Sequence, residues 1–244
     1  MLSSCGRAKI KVFSKLRVAI LVTGDELVSI NEFPTEDKIR ISNSYALSFA
    51  VSELHQTPVN YGMAKDEADV IKKQLQKMIL DDNDIIITTG SVSVGKYDLI
   101  KDIFKEIGVE IKFWKANIKP GKPIVFGVCS NNGKKKLVFG LPGNPVSCLV
   151  NFHIFIKPVI QNLFHNADLD FVYAELVNDV KKNDEKRHFM RGILYFDSQN
   201  FFVRSEFSQS SGNLVEMSQA NCLIEIPEDK INPKRGEIYK CIKM

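Results

Sequence analysis

The stretch IIITTGSVSVGKYD, residues 85–98, is the part of the sequence that indicates the fold most directly. Its β-branched residues follow Asp84 and predict a short strand that is buried on both faces. Small residues and two glycines come next, and helical spacing of apolar residues resumes at Leu99. In an open α/β sheet, ligands bind where a loop leaves the carboxyl end of a strand and enters a helix. The stretch therefore predicts a phosphate or pyrophosphate site with Asp98 at its rim, and a plain strand–turn–helix corner is the alternative.

Strands and helices alternate on both sides of this stretch. The predicted strands are 16–22, 58–63, 85–89, 110–114, 124–129 and 136–139, and the predicted helices are 43–54, 68–80, 99–107 and 146–160. The last helix either ends before Pro158 or is kinked by it, because proline cannot continue the hydrogen-bond ladder of a helix. The alternation predicts an α/β fold: a three-layer αβα sandwich around a mostly parallel sheet.

The pattern changes after residue 162. Short segments of alternating polarity are separated by polar turns at 170–180, 187–196, 201–204, 222–226 and 238–242, and no helix is predicted among them. This pattern is typical of a small all-β domain, and we expect a partly open barrel. The predicted organisation is a linker at 1–14, an α/β domain at 15–166 and a small C-terminal β domain at 167–244.

Composition narrows the classes of partner. Hydrophobic residues make up 44% of the 244 residues and charged residues 25%, as in ordinary soluble globular proteins. The net charge of +4 is too small to predict nucleic-acid binding, although it suits a small anionic ligand. Residues 1–13 do not resemble a signal peptide, and no uninterrupted apolar run reaches membrane-spanning length. We therefore expect neither a nucleic acid nor a membrane as a partner.

The cysteines and histidines do not form metal-binding motifs. The five cysteines and four histidines are widely spaced and include no CxxC pair, so neither a disulfide framework nor a zinc site is indicated. Reduced thiols in a cytoplasmic protein are the simplest interpretation. Cys148 is interpreted as a small buried residue of a helix, not as a nucleophile.

Several motifs at the predicted strand ends point to one family. They are TGDEL (23–27), AKDE (64–67), TGSVSVGKYD (89–98), KPGKP (119–123) and GLPGNPVS (140–147), followed by Arg191-Gly192, QSSG (209–212) and ANCLIEIP (220–227). In this order the motifs resemble the molybdopterin molybdenumtransferase family, which includes the bacterial MoeA enzymes and the E domain of gephyrin. The resemblance covers roughly residues 8 to 240 and is more specific than a single glycine-rich loop.

The resemblance implies a reaction. Members of the family insert molybdate into the dithiolene of adenylylated molybdopterin and release AMP, with a divalent cation such as Mg²⁺. Molybdate, a pyrophosphate bridge and a dithiolene are all anionic. A cleft that holds them therefore needs backbone donors, lysines and a cation held by carboxylates.

The resemblance also assigns roles to residues. Glu26, Asp66 and Asp98 match the catalytic acids, and Glu26 and Asp98 also match the metal ligands. The residues matched to binding are Thr23, Gly24, Asp25, Gly90, Ser91, Ser93, Gly95, Lys115, Lys119, Lys122, Pro142, Gly143, Asn144, Pro145 and Ser211. Simpler interpretations remain open for several of these residues. Asp25 is structural, Asp66 is a helix N-cap or a first-turn residue, the three lysines are ordinary surface lysines, and Ser211 lies in a turn. Trp114 is interpreted as packing and not as a platform for the pterin.

The sequence departs from the family in three respects. Ser91 stands where the family usually has a second glycine, and Ile41 stands where an aspartate is common. Two further N-terminal domains of the family are not matched, so we expect residues 1–14 to be the end of that missing region. The family forms homodimers, but a monomer is compatible with this chain. The alternative to an enzyme is a non-catalytic molybdopterin-binding module or scaffold, because α/β domains of this kind serve several functions.

Overall fold

The structure is a computed structural model that describes residues 2–90, 97–164, 170–210 and 212–244, with the backbone alone for Tyr97 and Asp98. In chain order the strands are β1 (Arg17–Thr23), β2 (Leu27–Val28), β3 (Ile39–Arg40), β4 (Thr57–Ala64), β5 (Ile85–Thr89), β6 (Glu110–Trp114), β7 (Ile118–Lys119), β8 (Val125–Asn131), β9 (Lys134–Leu141), β10 (Phe171–Leu176), β11 (Arg187–Asp197), β12 (Asn200–Arg204), β13 (Cys222–Ile226) and β14 (Ile238–Lys243). The α-helices are α1 (Asn43–Glu53), α2 (Ala68–Leu80), α3 (Tyr97–Glu106), α4 (Pro145–Asn151), α5 (Lys157–Leu163) and α6 (Leu214–Gln219).

The first sheet has the order β4-β1-β5-β9-β8-β6. Strands β4, β1, β5 and β9 are mutually parallel, while β8 is antiparallel to both β9 and β6. Strand β6 therefore runs in the common direction, and β8 is the reversed strand. Because the carboxyl ends of β1, β4, β5, β6 and β9 lie at one edge of the sheet, the loops that follow them lie there too. We call this the carboxyl edge.

Two cores flank this sheet and confirm the predicted three layers. Alternate side chains of a strand point to opposite faces, and in β1 Ala19 and Leu21 join one core while Val18 and Ile20 join the other. Helices α2 and α3 cover the first face, and α1 with the α4–α5 segment covers the second. Ile41, at the position where the family often has an aspartate, is buried with 8% exposure.

The helix after GLPGNP does not end before Pro158. A π-helical segment, Phe152–Ile156, joins α4 to α5, so the chain stays helical through Pro158. Proline lacks an N–H group, and its ring crowds the carbonyl four residues earlier in a helix. A wider helix just before Pro158 accommodates both effects. The combined helix Pro145–Leu163 is long and apolar enough, by length and composition alone, to cross a membrane. Half of it is buried inside the protein, as is usual for a core helix.

The second sheet is a closed five-stranded barrel. Strand β12 pairs with both β10 and β11, which closes the ring β10-β14-β13-β11-β12. The predicted small β-barrel is therefore confirmed. It is closed and not partly open, because closure depends on pairing between strands that are distant in sequence. The prediction of no helix in this region was also wrong: α6 lies between β12 and β13, and the side chain of Asn213 caps it by accepting from the Glu216 N–H.

Strand β7 connects the two sheets. The chain leaves the α/β sheet after β6. Strand β7 then pairs in parallel with the start of β11, with Ile118 opposite Arg187 and Lys119 opposite His188. Ile118 is buried in an apolar cluster that contains Val146 and Val150 of α4 together with Phe189, Met217 and Leu223 of the barrel region. The loop that carries Lys119 is thereby packed against the barrel.

Candidate functional site

The loops that follow β1 and β5 touch through their backbones. A β-carbon on Gly90 would lie 1.8 Å from the carbonyl oxygen of Thr23, and Gly90 has a φ of +99°. Only glycine fits there, because any side chain would clash and would also strain the backbone. Thr23 itself is buried, with 1% exposure. Two of the predicted binding loops are therefore in direct contact at the carboxyl edge.

The loop after β9 also lies against Gly90. A β-carbon on Gly143 would lie 3.2 Å from the Gly90 α-carbon. Asn43, the first residue of α1, donates from Nδ2 to the Gly143 carbonyl oxygen at 2.8 Å and to Thr89 Oγ1 at 3.2 Å. Asn43 is not among the residues predicted for the site from the sequence. A buried asparagine at a helix start facing a ligand edge is the signal that could have identified it.

The loop after β4 also packs on the loop after β1. The backbone N–H of Asp66 donates to Asp25 Oδ1 at 3.1 Å, and the Gly24 N–H donates to the Ala64 carbonyl at 3.2 Å. The Asp25 carboxylate thus holds two loops together, in agreement with the structural alternative for this residue. Asp66 is not the N-cap of α2, since that position is taken by Glu67.

Glu26 presents an exposed carboxylate to this edge. A β-carbon on Gly24 would lie 2.9 Å from either carboxylate oxygen of Glu26, so the absence of a side chain at Gly24 lets the Glu26 carboxylate fold back over the loop. Among the described side chains, no group of three or more His, Cys, Asp or Glu residues could hold a metal ion. The Asp98 side chain, the proposed second ligand, lies outside the described residues, as do Ser91, Ser93, Gly95 and Ser211.

The predicted lysines lie farther along the same edge. They follow β6, which is three strands from β5 in the sheet order, or roughly 14 Å at the usual spacing of strands. Lys119 Nζ is 3.1 Å from Asp184 Oδ2 of the barrel region. Lys115 Nζ lies 3.8 Å and Lys101 Nζ 4.2 Å from the centroid of the Trp114 ring. Two ammonium groups therefore contact the Trp114 ring, in agreement with its interpretation as packing and not as a pterin platform.

The remaining lysine and the proline loop are held by backbone contacts. Lys122 is exposed, and its carbonyl accepts from the Ala116 N–H at 3.0 Å. Pro142 is buried, and Asn144 and Pro145 are the N-cap and first residue of α4. Pro145 suits this position because the first residues of a helix have no partner for an N–H.

Cys148, in the same helix, is buried, and burial raises the pKa of its thiol, as expected of a packing residue.

On the barrel side, Arg191 organises the segment around the predicted Ser211. Its side chain is 1% exposed, and Nη1 donates to the carbonyl oxygens of Ser210 at 3.1 Å and Asn213 at 3.2 Å. The Arg191 N–H donates to Gln209 Oε1. The buried guanidinium thus fixes the backbone on both sides of residue 211.

A separate pocket of about 690 Å³ lies between α1, the Pro145–Leu163 helix and α6. Its lining is mostly apolar, with Phe49, Leu149, Phe152 and Met217 among the residues that form it. No residue predicted for the site lines this pocket. The carboxyl edge, where backbone groups and charged side chains meet, is therefore the better candidate site.

These features define a class: α/β proteins with a ligand site at the carboxyl edge of the sheet, joined to a small β-barrel. Residues 19–162 match the family model of the probable molybdopterin binding domain, and residues 173–243 match the MoeA C-terminal region (domain IV). The chain belongs to the molybdopterin molybdenumtransferase (MoeA) family, as the motifs in its sequence indicated.

Individual relatives agree with this assignment. The chain is 33% identical over 223 residues to the molybdopterin molybdenumtransferase of Nostoc sp., covering 90% of this chain and 51% of the relative. It is 32% identical over 242 residues to that of Haemophilus influenzae, covering 97% and 58%. The crystal structure of the molybdopterin biosynthesis MoeA protein from Pyrococcus horikoshii superposes with a TM-score of 0.83 at 29% identity, covering 99% of this chain and 57% of that one. The chain thus spans just over half the length of these relatives.

Proposed function

We propose that this chain acts in molybdenum cofactor biosynthesis, where molybdate is inserted into the dithiolene of adenylylated molybdopterin and AMP is released. The family assignment supports the proposal, since the curated relatives are named molybdopterin molybdenumtransferases. Because the chain spans just over half of their length, their activity is extended to it here as a proposal.

The main support for the proposal is that Thr23, Gly90 and Gly143 lie close together beside Asn43. Gly90 and Gly143 carry no side chain there, a composition that lets an anionic group approach the backbone. The lysines follow β6, a strand that is roughly 14 Å from β5 at the usual spacing of strands. An elongated ligand suits this arrangement, with phosphate groups at the glycine loops and other oxyanions at the lysines.

We assign the binding roles accordingly. Thr23, Gly24, Asp25, Gly90, Ser91, Ser93 and Gly95 bind the phosphate groups, while Lys115, Lys119, Lys122 and Ser211 contact oxyanions. Pro142, Gly143, Asn144 and Pro145 form a stiff loop that keeps its backbone groups oriented.

A magnesium site is the second part of the proposal. The exposed carboxylate of Glu26 is the type of hard oxygen ligand that Mg²⁺ prefers, so this described residue fits the ion. Glu26 and Asp98 would hold Mg²⁺, and Asp66 would act with them as a catalytic acid. Bound there, Mg²⁺ would supply positive charge against the oxygens of the pyrophosphate bridge.

The domain division, compartment and oligomeric state are proposed from the same family. We assign the pterin site to the α/β domain at 15–166, additional oxyanion contacts to the β domain at 167–244, and a linker role to residues 1–14. The cytoplasm is the proposed compartment, because all five cysteines, each in the described part of the chain, are free thiols. The proposed assembly is the homodimer of the family, with a monomer as the alternative.

Calorimetry tests the proposal. We expect the purified chain to bind AMP and adenylylated molybdopterin in Mg²⁺ under reducing conditions. Asp98→Ala should weaken binding at least about tenfold, since a carboxylate ligand is lost, while the thermal unfolding midpoint stays unchanged. Asp102→Ala, on the next turn of α3, is the control and should bind normally. Absence of both AMP and pterin binding in the unmodified chain would contradict the proposal, and binding without turnover in the full-length protein would favour the scaffold alternative.

A further inference from the structure

The barrel contributes a carboxylate to the lysine part of the candidate site. Asp184, just before β11, places Oδ2 3.1 Å from Lys119 Nζ. The two residues are 65 positions apart, and the pairing of β7 with β11 brings them together. The Lys119 side chain remains 54% exposed in this pair, so a ligand in solution can still reach it.

Asp184 is itself held rigidly. Its Oδ1 accepts from the Lys186 N–H at 3.1 Å and lies 2.7 Å from His188 Nε2, which leaves Oδ2 to face Lys119. Lys182, buried with 1% exposure, donates from Nζ to the carbonyl oxygens of Asp184 at 2.7 Å and Glu228 at 3.0 Å. Both the side chain and the backbone of Asp184 are therefore fixed before any ligand arrives.

The charges around Asp184 favour its ionised form. Burial opposes ionisation, but hydrogen bonds from His188, Lys186 and Lys119 outweigh it and hold the pKa of the Asp184 carboxyl well below its usual range. Burial is the main cause of the lowered pKa of His188 and favours the neutral imidazole. The carboxylate at Oδ2 is thus available to the Lys119 ammonium.

We infer that Asp184 is a positioning residue, whose rigid carboxylate holds the Lys119 ammonium where it meets an oxyanion of the substrate. The inference rests on the proposed function, in which Lys119 contacts an oxyanion. A free lysine side chain has four rotatable bonds, and fixing it on binding costs entropy. An ammonium has three N–H donors. One N–H donated to Asp184 leaves two for the ligand.

Two roles for Asp184 predict opposite results. If the carboxylate merely competes with the ligand for Lys119, its removal strengthens oxyanion binding. If it positions Lys119, its removal weakens binding, and the effect requires Lys119 to be present. Asp184→Ala distinguishes these roles, and Asp184→Asn keeps the shape of the side chain in case the alanine variant folds poorly.

The experiment measures molybdate binding by calorimetry in the whole chain. We expect Asp184→Ala to weaken binding about fivefold, the upper range for an exposed ion pair, and Asp184→Asn to weaken it in the same direction. In a Lys119→Met background, Asp184→Ala should have no further effect. The matched control is Asp82→Ala, which breaks the exposed Lys134–Asp82 pair (2.8 Å) at the opposite edge of the sheet and should leave binding unchanged.

Lysine-ammonium NMR of the ligand-free chain gives a readout that does not depend on binding. The Lys119 signal should be lost in Asp184→Ala and kept in Asp82→Ala, where the Lys134 signal is lost instead. Three outcomes would overturn the role of Asp184 but leave the proposed function intact. They are unchanged or tighter molybdate binding in Asp184→Ala, an unchanged Lys119 signal in that variant, and a loss of binding on Asp184→Ala that persists in the Lys119→Met background. An unmodified chain that binds neither molybdate nor AMP would overturn the proposed function and the assignment with it.

Discussion

Asn43 Nδ2 donates a 2.8 Å hydrogen bond to the carbonyl oxygen of Gly143, which is 100 residues further along the chain. The same nitrogen reaches Thr89 Oγ1. One buried amide thus joins the start of α1 to the loops that follow β5 and β9. Since all three elements border the carboxyl edge, the geometry of the candidate site depends on this side chain.

We expect Asn43→Ala to reduce both stability and ligand binding. Removal of the amide leaves the part-buried Gly143 carbonyl and the buried Thr89 hydroxyl without this donor, which costs about 1–3 kcal/mol. Urea unfolding measures this loss, and calorimetry with AMP measures the effect on the site. Asn131→Ala is the control, because Asn131 Nδ2 bridges the Ile79 and Leu80 carbonyls at the other edge of the sheet. It should lose stability without losing affinity, and equal binding losses in the two variants would contradict a local role for Asn43.

Gly90→Ala should be among the most destabilising single substitutions in the chain. A methyl group there would lie 1.8 Å from the Thr23 carbonyl oxygen, so the loops after β1 and β5 would have to separate. Steric displacement and the positive φ together should cost at least about 3 kcal/mol. Gly62→Ala provides the comparison, because Gly62 also has a positive φ but has no atom within 4 Å of the added carbon. It should cost about 1 kcal/mol, and similar thermal unfolding midpoints for the two variants would contradict the clash.

The predicted α/β architecture was correct because its signals are local. In β1, Val18 to Val22 is a continuous apolar run, as expected of a strand buried on both faces. Helix α2 coincides with the predicted 68–80, where apolar residues recur at helical spacing. The short helix α6 was missed, although Asn213 followed by Glu216 three residues later is a recognisable helix start.

Other features depend on contacts between distant residues. Closure of the barrel needs β12 to pair with β10 as well as β11, and no local pattern specifies both pairings. The Lys119–Asp184 ion pair exists because β7 leaves the first sheet and joins the second. The motifs predicted which loops form the candidate site, whereas the side chains that connect those loops, Asn43 above all, required the structure.

His153 should make the fold sensitive to mild acid. Burial lowers the pKa of His153 to about 4, with a further decrease from the Lys157 ammonium and opposition from Asp170. Between pH 6.5 and 4 the unfolded chain binds a proton that the folded chain does not, so stability falls as the pH falls through this window. The loss should reach up to about 3 kcal/mol.

Urea unfolding at pH 7, 6 and 5 checks this dependence. His153→Gln should flatten the pH profile in that range, while His55→Asn, at an exposed histidine, should leave it unchanged. A profile that is equally steep in the original chain and in His153→Gln would show that another group causes the acid sensitivity.

Removal of Mg²⁺ should weaken AMP binding, because Glu26 is proposed to hold the ion beside the phosphate. This carboxylate is exposed and lies over Gly24, so replacing it with an amide should change the free energy of unfolding by less than about 0.5 kcal/mol. In the unmodified chain, we expect AMP affinity to fall at least about tenfold when EDTA removes the ion, because the phosphate charge then lacks its counterion. Glu26→Gln should already bind weakly in Mg²⁺ and should respond little to EDTA. Glu36→Gln, at another exposed acid in the same part of the chain, should keep the full response. Calorimetry with AMP measures all three proteins, and an unaltered EDTA response in Glu26→Gln would exclude Glu26 as a ligand of the ion.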